Sequence, residues 1–230
     1  MSAPVTEYGS AEALAEALAD TIARDLADAV AARGRAVLAV SGGSTPKRLF
    51  QALSTRDAPW DAVTVLPVDE RWVPEDHERS NARLVRENLL VDHARAAGLT
   101  SLVAPTGEPE EGLGEVRANV RALPQPFDVL LLGMGTDGHT ASFFPGGDNL
   151  ARALDRDTAE TVVAMRAPGA PEPRVTLTLP VILAARRIVL HIEGGEKRAV
   201  LEAAEEGTDE AEMPVRTVLG AANLEVVWAP

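Results

Sequence analysis

Apolar residues recur along this chain in two patterns. Leu14, Leu18, Ile22, Leu26 and Val30 fall every four residues, which places them on one helix face, and Gly34 follows as a C-terminal stop. Thr45-Pro46 reads as an N-cap followed by a first-turn proline, opening a helix through Leu53. Ser80 is a similar cap for a helix to about Leu90, and Glu110–Leu123 and Glu196–Glu205 are also predicted helical. The second pattern is a set of short, unbroken apolar runs: Ala36–Val40, Val63–Val68, Phe127–Leu132, Thr161–Met165, Ile188–Ile192 and Val226–Trp228. Each is followed by a Gly-rich or acidic turn. Continuous runs suit strands buried on both faces of a parallel sheet. Ala104–Gly114, rich in Pro, Gly and Glu, reads as a surface loop.

Strand and helix alternate throughout. The predicted fold class is α/β, a Rossmann-like, largely parallel sheet flanked by helices. With no internal repeat and no long linker, residues 1–230 read as a single domain. In such sheets ligands gather beyond the C-terminal ends of the strands, and the unusual residues of this sequence lie there.

Composition narrows the function classes. No apolar run approaches the roughly 18–20 residues of a membrane span, and no basic segment leads into an apolar one at the start. A cytoplasmic protein without membrane contact is therefore expected. The chain has no cysteine, which excludes disulfides, thiolate metal sites and cysteine nucleophiles. A net charge of −13 argues against nucleic-acid partners, which need a basic surface. Of the 22 Lys and Arg residues only Lys47 and Lys197 are lysines.

Four clusters carry candidate chemistry. Ser41-Gly42-Gly43-Ser44-Thr45-Pro46 follows a strand directly. Its glycines allow close backbone approach, and its hydroxyls and the following helix start suit an anion such as phosphate. The same residues read equally well as a tight, capped turn. Asp69-Glu70-Arg71-Trp72-Val73-Pro74 places three charges at a strand end, and Asp69 and Arg71 are the functional candidates, with His77 and Glu78 solvated. The third cluster runs from Gly133 to Gly146 and contains a formal G-x-G-x-x-G. Pro145-Gly146-Gly147 interrupts too soon for the dinucleotide fingerprint. What remains is Asp137 and His139, two residues apart in a glycine-rich turn that includes Gly135. Histidine suits general-base work near neutral pH, and a carboxylate can fix its tautomer. In the fourth cluster, Arg174 precedes an alternating run and Lys197 starts a helix after another strand. Both suit a phosphate, although two surface cations would look the same. His93 and His191 read as a polar helix-end residue and a satisfied core histidine. Neither metal-ligand spacing nor a G-x-S-x-G elbow is present.

Taken in order, these clusters resemble the 6-phosphogluconolactonase family, within the larger sugar-phosphate group that includes glucosamine-6-phosphate deaminase. The resemblance runs from Ser41–Pro46 through Asp69–Val73 and Ser80-Asn81 to Gly133–Gly146, with Arg174-Val175-Thr176 and Lys197 completing it. It implies a sugar-phosphate isomerase/deaminase-like fold and hydrolysis of 6-phospho-D-glucono-1,5-lactone, in the oxidative pentose phosphate pathway, without metal or redox cofactor. His139 would be the general base, Asp137 its positioning partner and Arg71 an oxyanion stabiliser. Ser41, Gly42, Gly43, Ser44, Thr45, Asp69, Gly135, Arg174 and Lys197 would contact substrate, with Arg174 and Lys197 at phosphate-contacting positions. Which of Arg71, Arg79 and Arg216 reaches the substrate stays open. The deaminases carry an Asn-Glu pair where this chain has Phe143-Phe144, and that Glu helps open the sugar ring, so the departure favours the lactonase. Deaminase or isomerase chemistry is the alternative, and a non-catalytic sugar-phosphate sensor a further one. A monomer is expected.

Overall fold

The computed structural model describes residues 4–230. The chain is an α/β fold built on a seven-stranded sheet in which every strand pairing is parallel. Its strands are β1 (Val5–Glu7), β2 (Ala36–Val40), β3 (Val63–Pro67), β5 (Gly98–Leu99), β6 (Val129–Leu132), β9 (Arg187–Glu193) and β10 (Leu224–Ala229). They lie in the order β1-β10-β9-β6-β2-β3-β5. The apolar runs are continuous because successive residues feed two cores. In β2, Val37 and Ala39 enter one core, and Ala36, Leu38 and Val40 enter the other.

Helices α1 (Ala11–Arg33) and α2 (Pro46–Ser54) cover one face of the sheet. The four-residue stripe of α1 is its buried side: Leu14, Leu18, Ile22 and Leu26 are all at most 2% exposed. Each such side chain contributes about 1.5–3 kcal/mol by leaving water. Ser10 accepts the Ala13 N–H at the start of this helix, and Gly34 ends it at φ 77°. Helix α3 (Asn81–Asn88) follows, capped by Ser80, whose side chain accepts the Arg83 N–H; it stops two residues short of the predicted Leu90. The opposite core is closed by α4 (Pro109–Ala122), α5 (Leu150–Leu154), α6 (Leu179–Ala184), α7 (Gly195–Glu206) and α8 (Arg216–Leu219). Among the described residues no helix is long and apolar enough to cross a membrane.

Two expectations need correction. Residues 110–114 fall under two readings, the end of a loop and the start of a helix. The loop reading is the one corrected, because Pro109 sits at a helix start and Leu113 and Val116 bury against the core, so these residues form the first turns of α4. The run ending at Met165 does not join the parallel sheet. It becomes β7 (Val162–Met165), which pairs antiparallel with β8 (Arg174–Leu177), itself antiparallel to β4 (Asp69–Arg71). All four residues of β7 are buried, so its sequence has the pattern of a parallel-sheet strand. Helices α4 and α5 pack against it and provide that burial.

Candidate active site

The chain runs outward from β2 through β3 to β5, then returns to place β6 on the other side of β2. This reversal is the switch point where open α/β sheets leave a crevice at their C-terminal edge. The loops after β2 and β6 diverge there around a cleft of about 410 Å³. Ser41 holds the seam. Its hydroxyl donates to the Leu131 carbonyl at 3.0 Å and accepts the Gly133 N–H at 2.9 Å. Ser41 borders the cleft, but both of these bonds tie one loop to the other. Gly42 is small because a Cβ there would run into the Asn81 side chain, which donates to the Asp69 carbonyl at 2.8 Å. Gly43 takes φ 90°, a left-handed angle that favours glycine.

Thr45 departs from its expected role. It is the residue before α2, but at φ −56° and ψ −48° its backbone is already helical, and its side chain makes no capping bond. A capping side chain reaches back from an extended backbone, as at Ser80. The first turn of α2 therefore faces the cleft without a side-chain cap, beside Ser44 and Thr45.

His139 projects into the cleft from the turn after β6. Its Nδ1 lies 2.5 Å from Asp137 Oδ1, and the same oxygen accepts the His139 N–H at 3.2 Å. In the neutral ring, a carboxylate at this distance selects the tautomer with the proton on Nδ1, which makes Nε2 the acceptor. The hydrogen bond from His139 holds the Asp137 carboxyl at about 2, well below the usual carboxylate range. Gly135 makes room for this pair, since a Cβ there would overlap the His139 ring. Its N–H donates to the His139 carbonyl at 2.8 Å and is not available to a ligand. The N–H groups of Gly133 and Gly135 are thus both occupied within the loops themselves.

The small sheet delivers the cations. Antiparallel register sets Arg71 directly opposite Arg174, and Asp69 opposite Thr176. Like charges at paired positions repel. Arg174 is 6% exposed, and burial, with Arg71 adding to it, lowers its affinity for its proton. The Nε atoms of both arginines are buried without a partner. Arg71 donates through Nη1 to the Arg79 carbonyl, and Glu172 lies 2.8 Å from Arg79 and 3.9 Å from Arg174. Phe144 lies between the two halves of the site. Its ring centroid is 4.6 Å from that of His139 and 5.7 Å from the Arg174 guanidinium carbon. Asp69 is buried at the cleft wall, where Ser142 donates to it at 2.6 Å. Lys197, in the first turn of α7, donates to the Met134 carbonyl; burial lowers its ammonium pKa, while Asp137 acts in the opposite direction.

The sequence model for glucosamine-6-phosphate isomerases/6-phosphogluconolactonase matches residues 9–228. The chain belongs to this family. A 6-phosphogluconolactonase of Rhizobium meliloti (strain 1021) is 50% identical over the whole of both chains. One from Mesorhizobium japonicum is 48% identical, over 94% of this chain and 91% of its own. The crystal structure of a 6-phosphogluconolactonase from Shewanella baltica OS155 superposes with a TM-score of 0.96 at 41% identity, covering 99% of this chain and 98% of that one. The chain thus lies on the lactonase branch of the family and has the sugar-phosphate isomerase/deaminase-like fold.

The structure brings Ser41, Gly42, Gly43, Ser44, Thr45, Asp69, Arg71, Gly135, His139, Arg174 and Lys197 to one cleft, with Asp137 behind His139. Of the three arginines left open, Arg71 lines it. Arg79 pairs with Glu172, and Arg216 is bonded to Glu212 and to the carbonyls of Ala203, Ala204 and Asp209. Three further residues line the cleft that were not named as site residues from sequence: Asn81 and Phe144, noted only as parts of the family pattern, and His191, read as a core residue inside an apolar strand. Glu70, singled out only as a charge at a strand end, accepts the N–H groups of Arg71, Asn81 and Ala82 and the Ser80 hydroxyl, so it anchors α3.

Proposed function

We propose that this chain, acting in the cytoplasm as a monomeric single domain, hydrolyses 6-phospho-D-glucono-1,5-lactone to 6-phospho-D-gluconate, with His139 as general base. The observation that carries this reading is the Asp137–His139 pair, 2.5 Å apart, at a cleft whose other wall holds Arg71 and Arg174. In the proposed reaction His139 Nε2 takes a proton from water as the water oxygen bonds to the lactone carbonyl carbon. Asp137 stabilises the imidazolium that forms. The tetrahedral oxyanion needs a fixed positive partner. With the Gly133 and Gly135 N–H groups occupied, Arg71 is the sequence candidate that remains. Collapse of the intermediate breaks the bond to the ring oxygen, which leaves with the proton returned by His139. Lys197, Arg174 and the first turn of α2 would hold the phosphate, since an uncapped helix start and buried cations both favour an anion.

Phe144 favours lactone hydrolysis over deamination. It stands at one of the two positions where the deaminases carry Asn-Glu, and it packs an apolar ring against His139. A ring-opening isomerisation would lack that carboxylate.

The test is proton release from freshly generated 6-phosphogluconolactone, measured above spontaneous hydrolysis. Wild type is expected to accelerate it, and His139→Asn to lower kcat by roughly 10²–10⁴-fold. Full turnover in the variant would overturn the general-base role, and no acceleration by wild type would overturn the reaction. Ammonia release from glucosamine 6-phosphate would instead establish the deaminase.

A further inference from the structure

His191 has no part in the reaction above. It lies on β9 one residue past the Leu132–Leu190 pair, which sets it beside Gly133 at the tips of the strands. It is 2% exposed, yet it borders the same cleft as Thr45, Pro46 and Lys197. Its neighbours on the sheet are apolar: Val227 is its register partner on β10, and Val189 precedes it by two on its own strand, both fully buried. Sequence reading takes such a residue for a satisfied core histidine, but only one ring nitrogen has a protein partner. Nε2 lies 3.0 Å from Glu193 Oε1, while Nδ1 is buried with none.

Glu193 fixes the character of the ring. The hydrogen bond from His191, with Arg48 assisting, keeps the Glu193 carboxyl below its ordinary range. Arg48 lies 3.4 Å from Glu193 and is itself 3.2 Å from Glu12. A carboxylate at Nε2 requires a proton there, so in the neutral ring Nδ1 is a bare lone pair. A buried polar atom without a partner normally marks a water, an ion or a functional contact. The elements around it indicate which. Arg48, which reaches Glu193, stands in the first turn of α2, which has no side-chain cap, and Lys197 lies six residues after His191 and lines the same cleft. Both features favour an anion.

We propose that His191 is a phosphate-recognition residue of this cleft: it binds the substrate phosphate as an imidazolium, with Nε2–H donating to Glu193 and Nδ1–H donating to a phosphate oxygen. The inference rests on the reading of the cleft as a sugar-phosphate site. The extra proton comes from solvent on binding. Glu193 and Arg48 act as positioning residues that hold the ring edge-on to the ligand. In this arrangement an unphosphorylated sugar acid gains nothing from His191, so the residue discriminates on the phosphate alone.

The test pairs a change in the protein with a change in the ligand. Competitive inhibition of lactone hydrolysis by 6-phosphogluconate and by gluconate is measured in wild type, His191→Gln and His191→Asn. Gln retains a group near the Nε2 position and loses Nδ1, whereas Asn retains a donor near Nδ1. His191→Gln is expected to weaken 6-phosphogluconate by roughly 10- to 100-fold, the range for a hydrogen bond to a charged group. Gluconate should change less than twofold, and Asn should recover part of the loss. Equal weakening of both ligands would show a structural role and overturn the proposal, as would no weakening of either. A second measurement needs neither turnover nor a variant. In wild type, the ¹⁵N shifts of the His191 ring are followed during titration with inorganic phosphate. Both nitrogens are expected to move to imidazolium values, and an unmoved Nδ1 would overturn the proposal. If phosphate moves the ring but the lactone is not hydrolysed, the recognition role stands and the proposed reaction falls.

Discussion

Asp137 and His139 are only two residues apart, so the turn between them decides what each can do. Gly138 takes φ 76°, which folds the turn tightly enough for one carboxylate oxygen to meet both the N–H and the Nδ1 of His139. The pairing has a consequence that can be read without activity. The Asp137 carboxyl sits at about 2 because His139 donates to its charged form. An unpaired aspartate titrates near roughly 3.9. A lowered folded value means that this stabilisation is complete above about pH 4 and is lost as pH falls towards 2. NMR titration of the Asp137 carboxyl carbon is expected to give a midpoint near 2 in wild type and a rise towards the ordinary value in His139→Asn. An unchanged midpoint would show that the pair is not formed in solution. Asp137→Asn, which no longer selects the tautomer, should lower kcat by roughly 10²-fold or more while leaving KM within a few-fold. The dyad was legible in sequence because its partners are local. The partnerless Nδ1 of His191 was not, since only tertiary packing shows what a buried ring lacks.

At the level of elements, the two predicted N-caps diverge, and the difference shows what local sequence encodes. Ser80 caps α3 in the ordinary way, while Thr45, with the same local signature, leaves α2 uncapped. Backbone geometry at the cap residue decides between them: it is already helical at Thr45 and extended at Ser80. Strands were legible for a related reason. Burial on both faces writes an unbroken apolar run, but it writes the same run for β7 in the antiparallel sheet, so the existence of a strand could be read and its sheet could not. Glu70 is the clearest case of an element held from a distance. Each of its oxygens accepts two donors within 2.7–3.2 Å, three of the four at the start of α3 and the fourth the Arg71 N–H. Glu70→Gln puts an amide NH₂ where a carboxylate oxygen stood, so it faces at least one backbone N–H. Leaving such a buried donor unmet costs about 1–3 kcal/mol. The thermal midpoint should fall by several degrees, at roughly 2–4 °C per kcal/mol for a chain of this size. A melting curve matching wild type would mean that the donors of α3 find other acceptors.

Over the whole molecule, charge and ligand are opposed. The chain carries −13, and the proposed substrate is itself an anion. Two fields act on that substrate, and they differ in range. The net charge is spread over a 230-residue protein with a radius of gyration of roughly 17 Å. The attraction comes from Arg71, Arg174 and Lys197, all bordering one cleft of about 410 Å³. Screening separates the two, because the Debye length is about 30 Å at 0.01 M salt and about 8 Å at 0.15 M. At low salt the approaching phosphate feels the entire negative surface. At 0.15 M it feels little beyond the cleft, where partly buried cations are screened less. Adding salt therefore removes repulsion before it weakens binding. For the phosphorylated lactone, kcat/KM is expected to rise by roughly two- to threefold between 0.01 and 0.15 M salt and then level off. Unphosphorylated gluconolactone, being neutral, should show no such rise. Lys197→Ala should rise in parallel from a lower starting value, because it loses a local contact and leaves the long-range field almost unchanged. A steady fall with salt in wild type would mean that the cationic cleft governs the approach from the outset and that the negative surface is turned away from it.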